Sequence, residues 1–336
     1  MKRESASTSQ WETVDGKLKQ IPAVNYIYLF IKRNWAALLA LFVLSLGLTI
    51  TTDSFFRVDN IVNVLRQVSI NAVLAVGITY TLITIGVDLS VGSTVAMSGV
   101  LAVALIELFH FPVPAALILA VLAGAMAGSW NGFVISRTGM PPFIVTLATQ
   151  LTIRGLAYVV TAGKPITSSN AAFNYIGNGY WNKIPVPVII MFIVAVVFAV
   201  ILNKTKFGRH MYATGGNKEA AVYSGINVKN VQLKVYIICG VLAAIAGIML
   251  AARMYSGQPT VGVGYEGDAV AATVLGGTSF SGGVGTIGGV MIGAMVIGVL
   301  NNGMNLLKIP YYYQLVVKGL VILGAVYFDT IKKQKS

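Results

Sequence analysis

Long apolar runs recur along nearly the whole chain, at 35–50, 68–86, 93–109, 113–135, 142–160, 187–202, 235–252, 269–277, 284–307 and 312–328. A helix of about 20 apolar residues crosses a hydrocarbon core about 30 Å thick, so each long run predicts a transmembrane helix. The run at 269–277 is too short and too rich in glycine for an ordinary span, and predicts a broken or re-entrant helix. The fold class that follows is an all-α polytopic membrane protein with about ten spans, eight or nine being also compatible, some of them broken. Ahead of the first run, "QIPAVNYIYLFIKRNW" (20–35) is aromatic and then basic, the pattern of a helix lying in the membrane interface. The expected organisation is an N-terminal tail over 1–34, a transmembrane domain over 35–330 and a short tail over 331–336.

Composition supports this. The chain is 56% hydrophobic and 10% charged, against roughly 25% charged in globular domains. Its net charge of +13 would suggest nucleic acid if the basic residues formed one solvated surface, but their placement excludes that partner. Lys2, Arg3, Lys17, Lys19, Lys32 and Arg33 precede the first span. Lys204, Lys206, Arg209, Lys218, Lys229 and Lys234 share the central loop 203–234, and Lys332, Lys333 and Lys335 form the tail. Basic residues gathered in loops on one side mark the cytoplasmic face, which puts both termini and the central loop inside. The opposite face receives Arg57, Lys164, Lys183, Arg253 and Lys308, and its longest connection is 161–183. The first ~20 residues are polar and mixed in charge, unlike a signal peptide. The single cysteine, Cys239, lies in an apolar run and reads as a small packed hydrophobe; no metal site is expected.

"TLITIGVDLSVGST" (81–94) places one carboxylate, Asp88, between uncharged stretches. An ionisable residue inside a membrane is costly and calls for a functional reading. Gly86 and Gly92 interrupt the helix around it. A break in lipid survives only where protein or a water-filled cavity satisfies the backbone. The reading preferred here is a structural break, with Asp88 capping the following helix and Ser90 and Ser93 adding local hydrogen bonds. Pathway lining and proton carriage stay open. Against the last, the membrane partners at hand are Arg66, Arg154 and Lys318, and His110 and His210 fall in loops.

Glycines four apart, at 124, 128 and 132 and again at 289 and 293, let helix backbones approach closely in lipid; packing inside the bundle is expected. A faint echo, Gly-x-x-x-Ser-x-Gly, links "GVDLSVG" (86–92) with "GTSFSGG" (277–283), and repeats of this kind supply discontinuous helices in transporters. No phosphate-binding loop, zinc-protease motif or paired carboxylates appear, so uphill movement would draw on a gradient or on another polypeptide. In "TGGNKEAAVYSGINVKNVQLK" (214–234), Asn217 can cap a short helix, Glu219 suits its first turn and Gly225 its left-handed end. Such a helix on the cytosolic face, presenting Val222 and Tyr223, is either a docking surface or a plain connector.

The segments "GVDLSVGS", "GGNKEAAVYSGINV", "GYEGDAVAATVLGGTSFSGGVGTIGG" and "LNNGMNLLKIPYYYQLVVKG" resemble the permease subunits of bacterial sugar ATP-binding-cassette importers, the ribose type above all. The likeness runs from about residue 55 to 332. It implies a cytoplasmic-membrane permease that pairs with a second copy or a sister permease, receives a monosaccharide from an extracytoplasmic binding protein, and engages a cytoplasmic ATPase. ATP and magnesium would sit on that ATPase, and no cofactor on this chain. The coupling residues implied are Gly215, Gly216, Asn217, Glu219, Ala220, Ala221, Val222, Tyr223, Ser224 and Gly225. Those implied for the helix break and translocation path are Asp88, Ser90, Gly92, Ser281, Gly283, Asn301 and Asn302. Glu266 and Asp268, in the outward segment 257–268, are expected to offer charge to the binding protein. Ribose is the preferred cargo, with galactose, xylose and autoinducer-2 as alternatives within the family. An ion-coupled symporter is disfavoured because the sequence shows no titratable network in its spans.

Overall fold

The structure, a computed structural model, describes residues 22–334. Its order is α1 (Pro22–Thr51), α2 (Val58–Ile83), α3 (Val91–Glu107), α4 (Val113–Thr138), α5 (Pro142–Thr161), β1 (Ile166–Thr167), α6 (Ala171–Asn178), β2 (Tyr180–Trp181), β3 (Ile184–Pro185), α7 (Val186–Lys204), α8 (Lys206–Gly216), α9 (Lys218–Tyr223), α10 (Val228–Met254), β4 (Ser256–Gly257), α11 (Tyr265–Leu275), α12 (Ile287–Leu306) and α13 (Tyr311–Gln334). Among the described residues, 8 helices are long and apolar enough to cross a membrane: α1, α2, α4, α5, α7, α10, α12 and α13. With α3 (17 residues) and α11 (11 residues) they match the ten apolar runs.

Three expectations change. The interfacial stretch and the first span are one continuous helix of 30 residues, α1; residues 20 and 21 lie outside the described part. The second span begins at Val58, ten residues earlier than the apolar run suggested, because polar residues (Asp59, Asn60, Asn63, Arg66, Gln67) interrupt its first turns, and its buried part begins only at Val68. The central loop contains two helices, α8 as well as α9.

Helix α10 is the axis of the bundle, buried along most of its length and packed against α2, α3 and α4. The glycine stripe explains this. A methyl group at Gly124 would strike the Gly240 carbonyl and the Ala244 side chain, one at Gly128 the Tyr236 backbone, and one at Gly132 the Leu233 backbone. Gly289 and Gly293 lie in the same way against Gly276, just past α11, and Ala272 within it. Both stripes therefore pack inside the chain. Cys239 is buried beside Gly77 of α2, a small residue filling a small space.

The bundle has two ends. At one, α6 packs on the end of α10, with the Asn178 side chain donating to the Ala252 carbonyl at 2.9 Å, and β1 pairs antiparallel with β4. Glu107, closing α3, gathers the Ser169 and Asn170 amides at 2.8 and 3.1 Å and thereby fixes the turn into α6. At the other end lie α8 and α9. The two short helices enter from opposite ends. Coil 84–90 leads into α3 from the α9 end, and coil 258–264 leads into α11 from the α6 end. Their N-termini meet inside the bundle, where Gly92 and Gly262 are in such close backbone contact that neither could carry a Cβ.

Candidate functional site

The helix break is built around Asp88, 1% exposed. Its Oδ1 accepts from the Ser90 amide at 2.9 Å, the Ser90 hydroxyl at 2.6 Å and the Asn131 amide of α4 at 3.4 Å. Asn131 also donates to Ser90 Oγ at 2.9 Å. Gly86 lies against the Tyr236 hydroxyl of α10 with no room for a side chain, and Thr146 of α5 donates to the Val87 carbonyl at 3.3 Å. Tyr236 lies eight residues into α10, at the start of the apolar run 235–252, so the break lies near the α9-side edge of the apolar layer.

This arrangement corrects the expected cap. The N-cap of α3 is Ser90, in α conformation and without a side-chain bond to the helix, and Asp88 serves Ser90 itself. Asp88 thus secures the turn ahead of the helix, crosslinking it to α4 through Asn131. Asp88→Asn retains an acceptor for these donors and is expected to keep the fold and most transport. Asp88→Leu leaves them unpaired, at about 1–3 kcal/mol each, and should lower the melting temperature in detergent. Equal melting temperatures for the two variants would exclude this role.

The other residues placed on the path separate. Ser281 is exposed and Gly283 lies at the α9 end, where its amide donates to the Ile83 carbonyl at 2.9 Å. Gly277, Gly282 and Gly283 have positive φ, whereas Gly86 and Gly92 do not. The echo between the two motifs is therefore no structural repeat: one set of glycines supplies turns and the other supplies clearance. Asn302 exchanges hydrogen bonds with Asn60 of α2 at 2.8 and 3.1 Å, tying α12 to the start of α2. Asn301 donates to Asp268 at 3.1 Å.

Asp268 is not a rim charge. It is buried in the first turn of α11 and paired with Lys318 of α13 at 2.8 Å. Glu266 also turns inward: Oε1 accepts from Gln150 of α5 and from the Gly264 amide, both at 3.3 Å, and Oε2 lies against Gly92. The expected absence of interacting charges in the spans is thus amended, since folding brings Asp268 to Lys318. Sequence reasoning passed over Asn131 and Gln150, whose signal was an uncharged polar residue within an apolar helix.

At the α9 end the expected helix is present. Asn217 Oδ1 accepts from the Ala220 amide at 2.9 Å and Gly225 has φ 79°. Val222 is 54% and Tyr223 90% exposed, and Ala220 is exposed too. Ala221, expected at the outer contact, is instead 3% exposed and packs inward. Just before this helix, Gly215 is wedged against the Ile83 carbonyl and the Gly283 amide, and Tyr212 donates to the Gly285 carbonyl at 2.7 Å. The exposed helix is therefore fixed to the end of α2 and to the loop before α12.

A family described as "Branched-chain amino acid transport system / permease component" matches residues 60–326. The chain belongs to this permease family. Curated relatives include the ribose import permease protein RbsC of Bacillus subtilis, 49% identical over 88% of this chain and 92% of the relative. The RbsC of Haemophilus influenzae is 44% identical over 90% of this chain and 94% of its own. The D-allose transport system permease protein AlsC of Escherichia coli is 38% identical over 91% and 94%. No solved structure matches the chain. These relatives are transport permeases and not enzymes, and with the apolar helices they make this a multi-pass membrane permease.

Proposed function

We propose that the chain is the transmembrane subunit of an ATP-binding-cassette importer that carries a monosaccharide, ribose foremost, across the cytoplasmic membrane. The observation that carries this is 49% identity to a ribose import permease along nearly the full length of both chains. The α9 end is then cytoplasmic, and the exposed face of α9, with Ala220, Val222 and Tyr223, receives a separate ATPase that holds ATP and magnesium. The α6 end, including 161–183, meets the extracytoplasmic binding protein, and a second permease copy completes the membrane unit. The rigid attachment of Gly215 to Ile83 and Gly283 gives ATPase movements a direct route to α2 and α12.

The test is uptake of isotope-labelled ribose by proteoliposomes containing the permease and its ATPase, with binding protein outside and ATP inside. Uptake that needs all three components is expected. Uptake without ATPase, driven by a proton gradient, would overturn the importer reading; ATP-driven uptake of D-allose in preference to ribose would change the cargo.

A further inference from the structure

Charged and amide side chains gather where the N-termini of α3 and α11 meet α5. Gln150 and Arg154 are one turn apart on α5, and Gln150 is eight residues from its start, about 12 Å into the membrane. Gln150 donates to Glu266 Oε1 at 3.3 Å, and Arg154 Nη1 donates to the Pro259 and Val261 carbonyls at 2.5 and 2.6 Å. Arg154 thereby holds the coil that leads into α11. Two atoms in this cluster are buried and lack a hydrogen-bond partner: the acceptor Glu266 Oε2 and the donor Arg154 Nη2.

Gln150, Arg154 and Glu266 are nevertheless part-exposed. Side chains of this polarity at mid-depth do not face acyl chains; they face the protein interior or a water-filled cavity. The remaining exposed face of α5 is mostly apolar, with Phe143, Ile144, Leu147 and Leu151 and one hydroxyl, Thr152, so the charged and amide groups of α5 are confined to the α5–α11 seam. The two charges are opposite, which leaves the seam without net charge. Its unmet acceptor and unmet donor match a hydroxyl group, which both donates and accepts. A neutral polyol fits this pattern better than an ion does.

We propose that Gln150, Glu266 and Arg154 line the narrow part of the translocation path and make transient hydrogen bonds to the hydroxyls of the sugar as it passes. The cargo named here rests on the import function proposed above, whereas the location of the path does not. The helix N-termini of α3 and α11 both adjoin Glu266 and favour its negative charge, and the Gly92–Gly262 contact fixes its depth.

Two measurements on the complex with ATPase and binding protein test this. The wild-type chain is a suitable background for cysteine labelling, because its single cysteine, Cys239, is buried. In the first, Gln150→Cys is expected to react with a small, hydrophilic, membrane-impermeant thiol reagent, at a rate that changes when ATP is bound. Ile193→Cys, on the exposed apolar face of α7, should not react. No labelling of Gln150→Cys in either nucleotide state would overturn the proposal. In the second, Glu266→Gln and Gln150→Leu are expected to slow ribose uptake about tenfold or more, while the ATPase still co-purifies and binding protein still stimulates ATP hydrolysis. Uptake at the wild-type rate in both variants would overturn the proposal, and so would loss of the ATPase from the complex, which would mark a purely structural role. Should wild-type protein import no ribose, the cargo reading fails, while the labelling pattern still decides where the path lies.

Discussion

Ala220→Arg is expected to abolish sugar uptake while leaving membrane insertion and the transmembrane bundle intact. Ala220 is on the exposed side of α9, and its amide is held by the Asn217 cap, so its position is set before any partner arrives. A small residue one turn before exposed Tyr223 permits close approach, and Val222 and Tyr223 supply apolar area. An arginine there would bring an unpaired charge and its bulk into the contact. Disrupting a central, desolvated contact costs about 2 kcal/mol or more, which corresponds to about 30-fold in affinity. The ATPase should no longer co-purify. Ala221→Arg should behave differently, because Ala221 is turned inward: it is expected to lower the yield of folded protein. An Ala220→Arg permease that retains its ATPase and imports at the wild-type rate would reduce α9 to a connector.

Lys318→Met should be strongly destabilising. It leaves the Asp268 carboxylate buried with Asn301 alone among the described residues donating to it. Breaking a buried ion pair on one side costs about 3–5 kcal/mol. The lower figure applies here because the Lys318 side chain keeps 24% of its exposure. Among the described residues the span of helix α13 is the least buried of the bundle, so the pair carries much of its attachment; a further tie is Asp329, which accepts from Ser279 and the Phe280 amide at 3.1 and 2.9 Å. The expected result is a lower melting temperature in detergent and faster proteolysis near 307–310. Replacing both partners, Asp268→Asn with Lys318→Met, should recover most of the loss, because no uncompensated charge remains. A Lys318→Met protein as stable as wild type, or a double variant no better than the single, would show that the pair contributes little.

The pattern of apolar and charged residues settles the solvent, the helical fold class and the approximate places of the spans. All three follow from local quantities: the length of an apolar run against the thickness of a bilayer, and the side on which lysine and arginine collect. Helix α9 was legible for the same reason, since Asn217 and Gly225 act on backbone within a few residues of themselves. The glycine stripes at 124–132 and 289–293 announced close helix contact but not the partner helix. Tertiary structure alone decided which polar residues meet. Asp88 looked like the cap of its own helix, yet its crosslink runs to Asn131, 43 residues away. Asp268 looked like a solvated loop charge, yet it is buried against Lys318, 50 residues on. Glu266 reached Gln150 only because two half-crossing helices enter from opposite ends and meet at Gly92 and Gly262. In a low-dielectric interior each polar group must find a partner wherever the fold supplies one, and that choice depends on helix packing over the whole bundle, which no local pattern in the chain encodes.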